Sequence, residues 1–269
     1  MMDFADSLGG GEGDKAGQLP MGWSVAFFGS APSSNDLALS ALAEQGSAAA
    51  GRCFVVSEQT KGRGRLGRQW TSHPGDGLYM SCVLCPDSPA HLLPSLSFVV
   101  SLAAHNMLAE QMRDASAKIS LKWPNDVLVN GGKIAGILLE ASSGGIVAGC
   151  GINLKNAPID PSQKHPAVSL DQFNPQDTLP SARALAFRLV HHLAECYEVW
   201  EQKGHRAILE SWKHNCMMIG ANVHIQTPQG LVTGRCTGIG EEGQLILQDD
   251  AGEQKWITAG DVEIMKGQA

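Results

Sequence analysis

Residues 118–142 read KISLKWPNDVLVNGGKIAGILLEAS, and this stretch sets much of the expected architecture. Its first part has the pattern of a strand but must break at Pro124, because proline has no N–H to give to a sheet. The second part predicts a hairpin, since Asn130-Gly131 between apolar runs is the strongest short-range hairpin signal. We therefore expect antiparallel pairing, with Asn125 and Asp126 at a strand-end turn.

Hydrophobic periodicity on either side of this stretch predicts further strands and helices, without an internal repeat. The strands are expected at 23–28, 51–60, 75–84 and 144–154, and the helices at 31–46, 92–114, 181–204 and 205–216. The first of these helices opens on Ser, Asn and Asp, which are preferred N-cap residues. Residues 155–177 are rich in Pro, Asn and Asp and are expected to form a long loop.

The pattern of the sequence changes after Gly220. Four short alternating segments follow, separated by PQG, EEG and AGE turns, and they predict a small β-barrel of about 50 residues. At the other end, the first 20 residues hold five glycines and four acidic residues and predict a mobile tail. The chain thus divides into a tail at 1–22, a main domain at 23–216 and a barrel at 217–269.

Composition narrows the class of protein. The 269 residues carry 20 Lys+Arg against 27 Asp+Glu, a net charge of −7, which argues against a general nucleic-acid coat. The sequence has no run of about 18 apolar residues, so it predicts no membrane span, and its acidic start is not a signal peptide.

Seven scattered cysteines fit a reducing compartment, so we expect a cytoplasmic protein. Cys82 and Cys85 form a CxxC, but on a strand they point to opposite faces, which disfavours a metal or redox site.

Residues 61–68, KGRGRLGR, place four cations and three glycines in eight positions without an acid. Glycines let backbone amides approach an oxygen closely, and arginines offer bidentate donors to phosphate or carboxylate. The segment lacks the Gly-Lys-Ser/Thr ending of a P-loop. The alternative is a solvated or RNA-contacting basic loop. Because its cations repel one another, we expect it to be mobile when empty and ordered by anions.

Three further motifs offer binding groups, and each has a structural alternative. Lys122-Trp123-Pro124-Asn125-Asp126 could orient a ligand and receive an ammonium group, although Pro-Asn-Asp also makes a good turn. In the pattern KxxGxLxE, which ends at Glu140, Lys133 could bridge a carboxylate and a phosphate, or it is an exposed hairpin lysine. In 149–153, GCGIN, the small residues admit a ligand, or they let the 181–204 helix pack closely on the sheet.

Together, in this order, the four motifs resemble those of a biotin–protein ligase: GRGRxGR at 62–68, KWPND at 122–126, KxxGxLxE at 133–140 and GxGxN at 149–153. The resemblance covers about residues 23–266. It implies an α+β fold with a mixed, largely antiparallel sheet and helices packed on it, plus a small C-terminal SH3-like β-barrel. It also implies formation of biotinyl-5′-AMP from biotin and ATP, then transfer of biotin to one lysine of a carrier domain of a biotin-dependent carboxylase.

The resemblance assigns roles residue by residue, with Ser33-Ser34-Asn35 standing where the family has Ser-Thr-Asn. The implied catalytic residues are Lys133, Arg65 and Asp126; the implied biotin contacts are Ser33, Ser34, Asn35, Gln59, Arg63, Gly64, Arg65, Lys133, Gly136 and Leu138; the implied ATP or adenylate contacts are Gly62, Arg68, Trp70, Lys122, Trp123, Asn125 and Asn153. Mg²⁺ is expected to arrive with ATP, without a protein metal site. Asp126 is expected to attract and deprotonate the acceptor lysine, so that Asp126→Asn slows transfer and retains adenylation.

Several alternatives stay open at this point. A lipoate ligase is the nearest rival enzyme, although its usual RRxSGGGxVxHD run is absent. A nucleic-acid-binding protein would use the basic loop, but the barrel segment is acidic. A bifunctional ligase and repressor would need an N-terminal DNA-binding domain, and only about 22 residues precede the first strand, so a monofunctional enzyme is expected. No membrane partner is expected, and pairing into a homodimer is left open.

Overall fold

The computed structural model describes residues 18–159, 166–174 and 179–265. Most of the expected tail at 1–22 and parts of the expected loop at 155–177 lie outside the described residues. The described chain builds two sheets, one of seven strands and one of five.

The seven-stranded sheet confirms the mixed, largely antiparallel architecture. Its strands are β1 (Ser24–Ala31), β2 (Arg52–Gln59), β3 (Gly77–Leu84), β4 (Ile119–Lys122), β5 (Asp126–Val129), β6 (Gly132–Ser142) and β7 (Gly145–Asn153). They lie in the order β1-β2-β3-β7-β6-β5-β4, and only the β1–β2 pair is parallel. Strands β6 and β7, which carry two of the sequence motifs, therefore lie near the middle of the sheet.

Four helices cover the two faces of this sheet unequally. They are α1 (Ser34–Gln45), α2 (Leu96–Gln111), α3 (Ala182–Lys203) and α4 (His205–His214). The largest buried cluster joins α2, α3 and α4 to one face of the sheet, whereas α1 packs a small cluster on the opposite face. Because a single short helix covers this second face, room is left beside its N-terminus for a cavity.

Local sequence explains both the turn and the helix start near that cavity. Asn130 and Gly131 have φ values of 49° and 80°, as the two central residues of a type I′ hairpin turn require. Ser33 caps α1, since its side-chain oxygen accepts from the Asn35 N–H at 3.2 Å. The predicted helix at 92–114 is shorter than expected, because 3₁₀ geometry over Ala90–Ser95 precedes α2.

Helix α2 is the most apolar helix of the fold. By length and composition Ala90–Gln111 could cross a membrane, but 61% of that stretch is buried inside the protein, as in the core helix of a globular domain.

The C-terminal unit is a five-stranded antiparallel sheet in the order β11-β10-β9-β8-β12. Its strands are β8 (Asn222–Thr227), β9 (Gly230–Ile239), β10 (Leu245–Gln248), β11 (Gln254–Ile257) and β12 (Asp261–Ile264). The last of the four segments expected after Gly220 runs over 255–264, and the expectation that it forms one strand was wrong, because the chain bends at 258–260 and splits it in two. That bend faces the main domain and becomes important below.

The cysteines behave as the strand pattern predicted. Cys82 belongs to the large core cluster, and Cys85 packs against the cluster under α1 on the opposite face. Burial raises the pKa of the Cys85 thiol, and burial raises that of Cys150 to about 12. These thiols are therefore protonated near neutral pH and poor nucleophiles.

Candidate active site

A cavity of about 450 Å³ opens on the α1 side of the main sheet. It brings together residues from all four sequence motifs. The predicted site residues that line it are Ser33, Ser34, Asn35, Gln59, Arg63, Gly64, Arg65, Arg68, Trp70, Lys122, Trp123, Asn125, Asp126, Lys133, Gly136, Leu138 and Asn153. Gly62 does not line it: a Cβ there would lie 2.3 Å from the Trp70 carbonyl oxygen, so this glycine serves close packing within the loop.

One end of the cavity is a socket of neutral hydrogen-bonding groups. The Ser34 N–H donates to Gln59 Oε1 at 2.9 Å, and the Ser34 hydroxyl lies 2.7 Å from that of Ser81. Ser81 Oγ also lies 2.5 Å from Asn35 Oδ1, an oxygen that can only accept, so Ser81 must donate to it. The Ser34 oxygen therefore keeps lone pairs with which to accept an N–H from a ligand.

The floor of the cavity is made of glycines from neighbouring strands. Gly136 of β6 pairs with Gly151 of β7, and a Cβ on either would lie 3.0 Å or less from the Trp70 indole. Likewise, a Cβ at Gly149 would lie 2.3 Å from Asn35 Oδ1. Packing of α3 is therefore not what these glycines serve, because the groups that approach them are Trp70 and Asn35.

Lys133 lies at the centre of the cavity and is held on three sides. Its ammonium is 2.7 Å from a carboxylate oxygen of Asp126 and 5.6 Å from the centroid of the Trp70 ring. Its backbone is bridged to residues 166–168, and Asn153 Nδ2 approaches the Lys133 carbonyl at 3.5 Å. Lys133 is thus not a freely exposed hairpin lysine, and Asp126 has a partner other than turn backbone.

The arginines of the basic loop each meet an acceptor inside the protein. Arg63 lies 2.6 Å from Asp36, Arg65 donates to Asn125 Oδ1 at 3.1 Å, and Arg68 pairs with Asp261. The premise that these cations repel one another without compensation was therefore wrong. Their partners come from α1, the β4–β5 turn and β12, which lie far away in the sequence.

Arg65 is the most enclosed of the three guanidinium groups. Burial lowers its pKa, while the nearby carboxylates of Asp126 and Asp261 act in the opposite direction. An arginine remains protonated at neutral pH under such shifts. It therefore presents a partly desolvated positive charge, which interacts more strongly with an anion than an exposed charge does.

Two predicted ligand contacts have protein partners that limit what they offer. The Trp123 indole N–H donates to the Gly243 carbonyl of the C-terminal unit at 2.8 Å. Asn125 donates from Nδ2 to the Ile137 carbonyl at 2.6 Å while its Oδ1 accepts from Arg65. Both residues line the cavity. Asn125 orients the Arg65 guanidinium and is itself held by the Ile137 carbonyl of β6.

Sequence reasoning missed several residues of this site. Gly260 and Asp261 line the cavity from the C-terminal unit, and the Arg65 guanidinium is 3.5 Å from the Gly260 carbonyl. Nothing in the local sequence marks these two. Glu140 was part of a motif but had no role, although strand alternation with Gly136 and Leu138 could have placed it on the cavity side.

The described residues contain no group of three or more His, Cys, Asp or Glu side chains that could hold a metal ion. The two carboxylates that line the cavity, Asp126 and Asp261, face Lys133 and Arg68.

Comparisons with known proteins match both parts of the chain. Residues 30–156 match the biotin/lipoate A/B protein ligase family, and residues 218–265 match the biotin protein ligase C-terminal domain. The chain is 34% identical over 218 residues to the biotin–acetyl-CoA-carboxylase ligase of Paracoccus denitrificans, which covers 76% of this chain and 87% of that protein.

Two further relatives extend the likeness. The bifunctional ligase/repressor BirA of Bacillus subtilis is 32% identical over 225 residues, or 80% of this chain, but the chain spans only 66% of that relative's length. The solved biotin protein ligase from Aquifex aeolicus in complex with biotin and ATP has a TM-score of 0.75 at 28% identity. That match covers 90% of this chain and 99% of the Aquifex chain.

Proposed function

We propose, from the premise that this chain belongs to the biotin/lipoate A/B protein ligase family, that it is a biotin–protein ligase. It would activate biotin with ATP and pass the biotinyl group to a lysine of a carrier protein. The observation that carries this proposal is one cavity with a neutral hydrogen-bonding socket at one end and converging cations at the other.

The socket suits a urea ring. Such a ring offers N–H donors and one carbonyl acceptor, and the Ser34 hydroxyl oxygen is available to accept from an N–H. The Trp70 indole beside the Gly136–Gly151 floor supplies an apolar surface for the rest of the molecule. A ligand seated in this way would direct its carboxylate toward Lys133.

The first step joins two anions, so it needs positive charge. A carboxylate oxygen of biotin attacks the α-phosphorus of ATP, the bond to the bridging oxygen of the β-phosphate breaks, and pyrophosphate leaves. Lys133 and Arg65 lie where they can neutralise the charge that develops, and Arg68 lies at the C-terminal side of the cavity. Mg²⁺ would enter as part of the MgATP substrate and neutralise the departing phosphates.

The second step needs a neutral amine at the acyl carbon. The amine nitrogen attacks, the bond from the acyl carbon to the phosphate oxygen breaks, and AMP leaves with the electron pair. Asp126 lies at this end of the cavity and can take the amine proton once Lys133 is engaged by the phosphate. The acceptor is proposed to be a carrier domain of a biotin-dependent carboxylase, as the name of the Paracoccus relative suggests.

Biotin-dependent exchange of labelled pyrophosphate into ATP tests the first step. We expect exchange with biotin and none without it. Lipoate supplied at the same concentration separates the two branches of the family, and a C-terminal match specific to biotin protein ligases favours biotin. Exchange with lipoate but not with biotin would overturn the proposal.

A nucleic-acid-binding function is a rival proposal, and two ion pairs of the basic loop disfavour it. Arg63 and Arg68 of the basic loop face Asp36 and Asp261 rather than forming a broad positive surface. We expect no shift of random RNA in a gel at concentrations where biotin is turned over. A location in the cytoplasm remains a prediction.

A further inference from the structure

The side-chain amide of Asn35 is fixed in one orientation. Its Nδ2 donates to a carboxylate oxygen of Glu140 at 2.5 Å, and its Oδ1 lies 2.5 Å from the Ser81 hydroxyl. A carboxylate only accepts, so the nitrogen must face Glu140 and the oxygen must face Ser81. Asn35 is 3% exposed and Ser81 is fully buried, so water does not compete for these contacts.

The same carboxylate reaches the basic loop. Arg63 lies 3.2 and 3.4 Å from the two oxygens of Glu140, and 2.6 Å from Asp36. The hydrogen bond that Arg63 donates to Asp36, together with the negative charge of Glu140 and the hydrogen bond that Arg63 donates to it, raises the pKa of Arg63 against the opposing effect of burial. Glu140 therefore joins a group of the neutral socket to a guanidinium of the basic loop.

Glu140 itself is not part of the cavity lining. It follows Gly136 and Leu138 along the same face of β6, one step beyond the wall that they form. A residue in this place acts on a ligand through Asn35 and Arg63. Its side chain is 28% exposed.

We infer that Glu140 is a positioning residue that ties Asn35 of the socket and Arg63 of the basic loop into one hydrogen-bonded unit. This inference rests on the proposed function. Loss of its charge replaces the charge-assisted hydrogen bond from Asn35 by a weaker neutral one, and it leaves Arg63 with Asp36 as its charged partner in this group. Occupation of the biotin socket and the placement of Arg63 are thereby coupled, and by linkage the effect is reciprocal.

Glu140→Gln and Asp36→Asn form a matched pair, because both remove a carboxylate from Arg63 and only the first touches Asn35. Equilibrium binding of labelled biotin without nucleotide is measured first. We expect Glu140→Gln to weaken biotin binding about fivefold to tenfold, the difference between a hydrogen bond to a charged acceptor and one to a neutral acceptor, and Asp36→Asn to leave it unchanged. In pyrophosphate exchange both variants should raise the KM for ATP.

A complementary exchange guards against simple misfolding. Asn35→Asp sets two carboxylates face to face and should weaken biotin binding more than Glu140→Gln does. Adding Glu140→Gln to it restores a hydrogen bond of reversed direction, so the double variant should bind biotin better than Asn35→Asp alone. Thermal unfolding of each variant shows whether it is folded.

The outcomes separate this inference from the proposed function. Unchanged biotin binding in Glu140→Gln, an equal loss in Asp36→Asn, or no recovery in the double variant would overturn the positioning role and leave the ligase proposal standing. If the unmodified protein does not bind biotin, the proposed function itself fails.

Discussion

Lys133 is the residue on which the chemistry of this cavity depends most. Its ammonium contacts Asp126 at 2.7 Å and approaches the Trp70 ring, while its backbone is pinned by residues 166–168. In the proposed mechanism, Asp126 holds the Lys133 ammonium in the cavity until a carboxylate and a phosphate arrive. A lysine suits this role because a compact charge with three donors can bridge two different anions.

Lys133→Ala and Arg65→Ala should each lower biotin-dependent pyrophosphate exchange by about 100-fold or more, as loss of a charge that stabilises a transition state does. Both groups line the cavity, and Asn125 holds Arg65 toward it at 3.1 Å. Exchange at a near-normal rate in either variant would remove that residue from the adenylation step.

Asp126→Asn should affect both half-reactions, and unequally. From sequence alone we expected adenylation to be retained, but the contact with Lys133 means that this change also frees the ammonium. Transfer should fall by about 100-fold, the usual contribution of a general base, and pyrophosphate exchange by much less. Transfer is measured by adding purified adenylate to the carrier domain, and an unchanged rate there would exclude Asp126 as the base.

The conformation of the basic loop determines the shape of the cavity, because the loop places Trp70 beside the glycine floor. Arg63 pairs with Gln69 across it, the Gly64 N–H donates to the Arg68 carbonyl at 2.8 Å, and the Trp70 N–H donates to the Gly62 carbonyl at 3.0 Å. These bonds make the loop a small hairpin that leads into Trp70. The glycines of the loop consequently differ in whether they can accept a side chain.

Gly62→Ala should distort the loop, and Gly64→Ala should not. An added Cβ at Gly62 would lie 2.3 Å from a backbone oxygen, whereas at Gly64 its nearest neighbour lies at 3.5 Å, an ordinary contact. Equilibrium binding of labelled biotin should be weaker by about tenfold or more in Gly62→Ala, the size of one lost strong contact. Equal binding by the two variants would contradict this account of the loop.

How much of the fold and of the basic loop could be predicted depends on how far apart in the sequence the interacting residues lie. The Ser33 cap and the Asn130-Gly131 turn were predicted because they depend on a few neighbouring residues. The partners of the loop were not, because Arg63 and Glu140 are 77 residues apart and Arg68 and Asp261 are 193 apart. No local pattern reports a contact that the packing of whole elements creates. The bend that splits 255–264 was missed for the same reason.

At the scale of the whole molecule, the two sheets share one site. Asp261 pairs with Arg68, the Gly260 carbonyl faces Arg65, and Gly243 receives the Trp123 indole N–H. The C-terminal unit therefore contributes to the cationic end of the cavity. Arg206 and Glu241 also join the two units, but both side chains are largely exposed and neither lines the cavity.

We expect the Arg68–Asp261 and Arg206–Glu241 ion pairs, which both join the two units, to differ in their effect on activity. Asp261→Asn should raise the KM for ATP about threefold to tenfold, because it removes the charged partner that places Arg68. Glu241→Gln is the matched control and should leave the KM unchanged, since an exposed ion pair contributes little. Equal effects of the two changes would show that the C-terminal unit only supports the fold.

The most direct test of the account combines the chain with ATP, labelled biotin and a carrier domain of a biotin-dependent carboxylase. We predict that one biotinyl group is attached to a single lysine of the carrier, that ATP is required, and that Lys133→Ala abolishes the labelling. Absence of label with a folded enzyme and carrier, or labelling that does not need ATP, would contradict the assignment of this cavity to biotin activation and transfer.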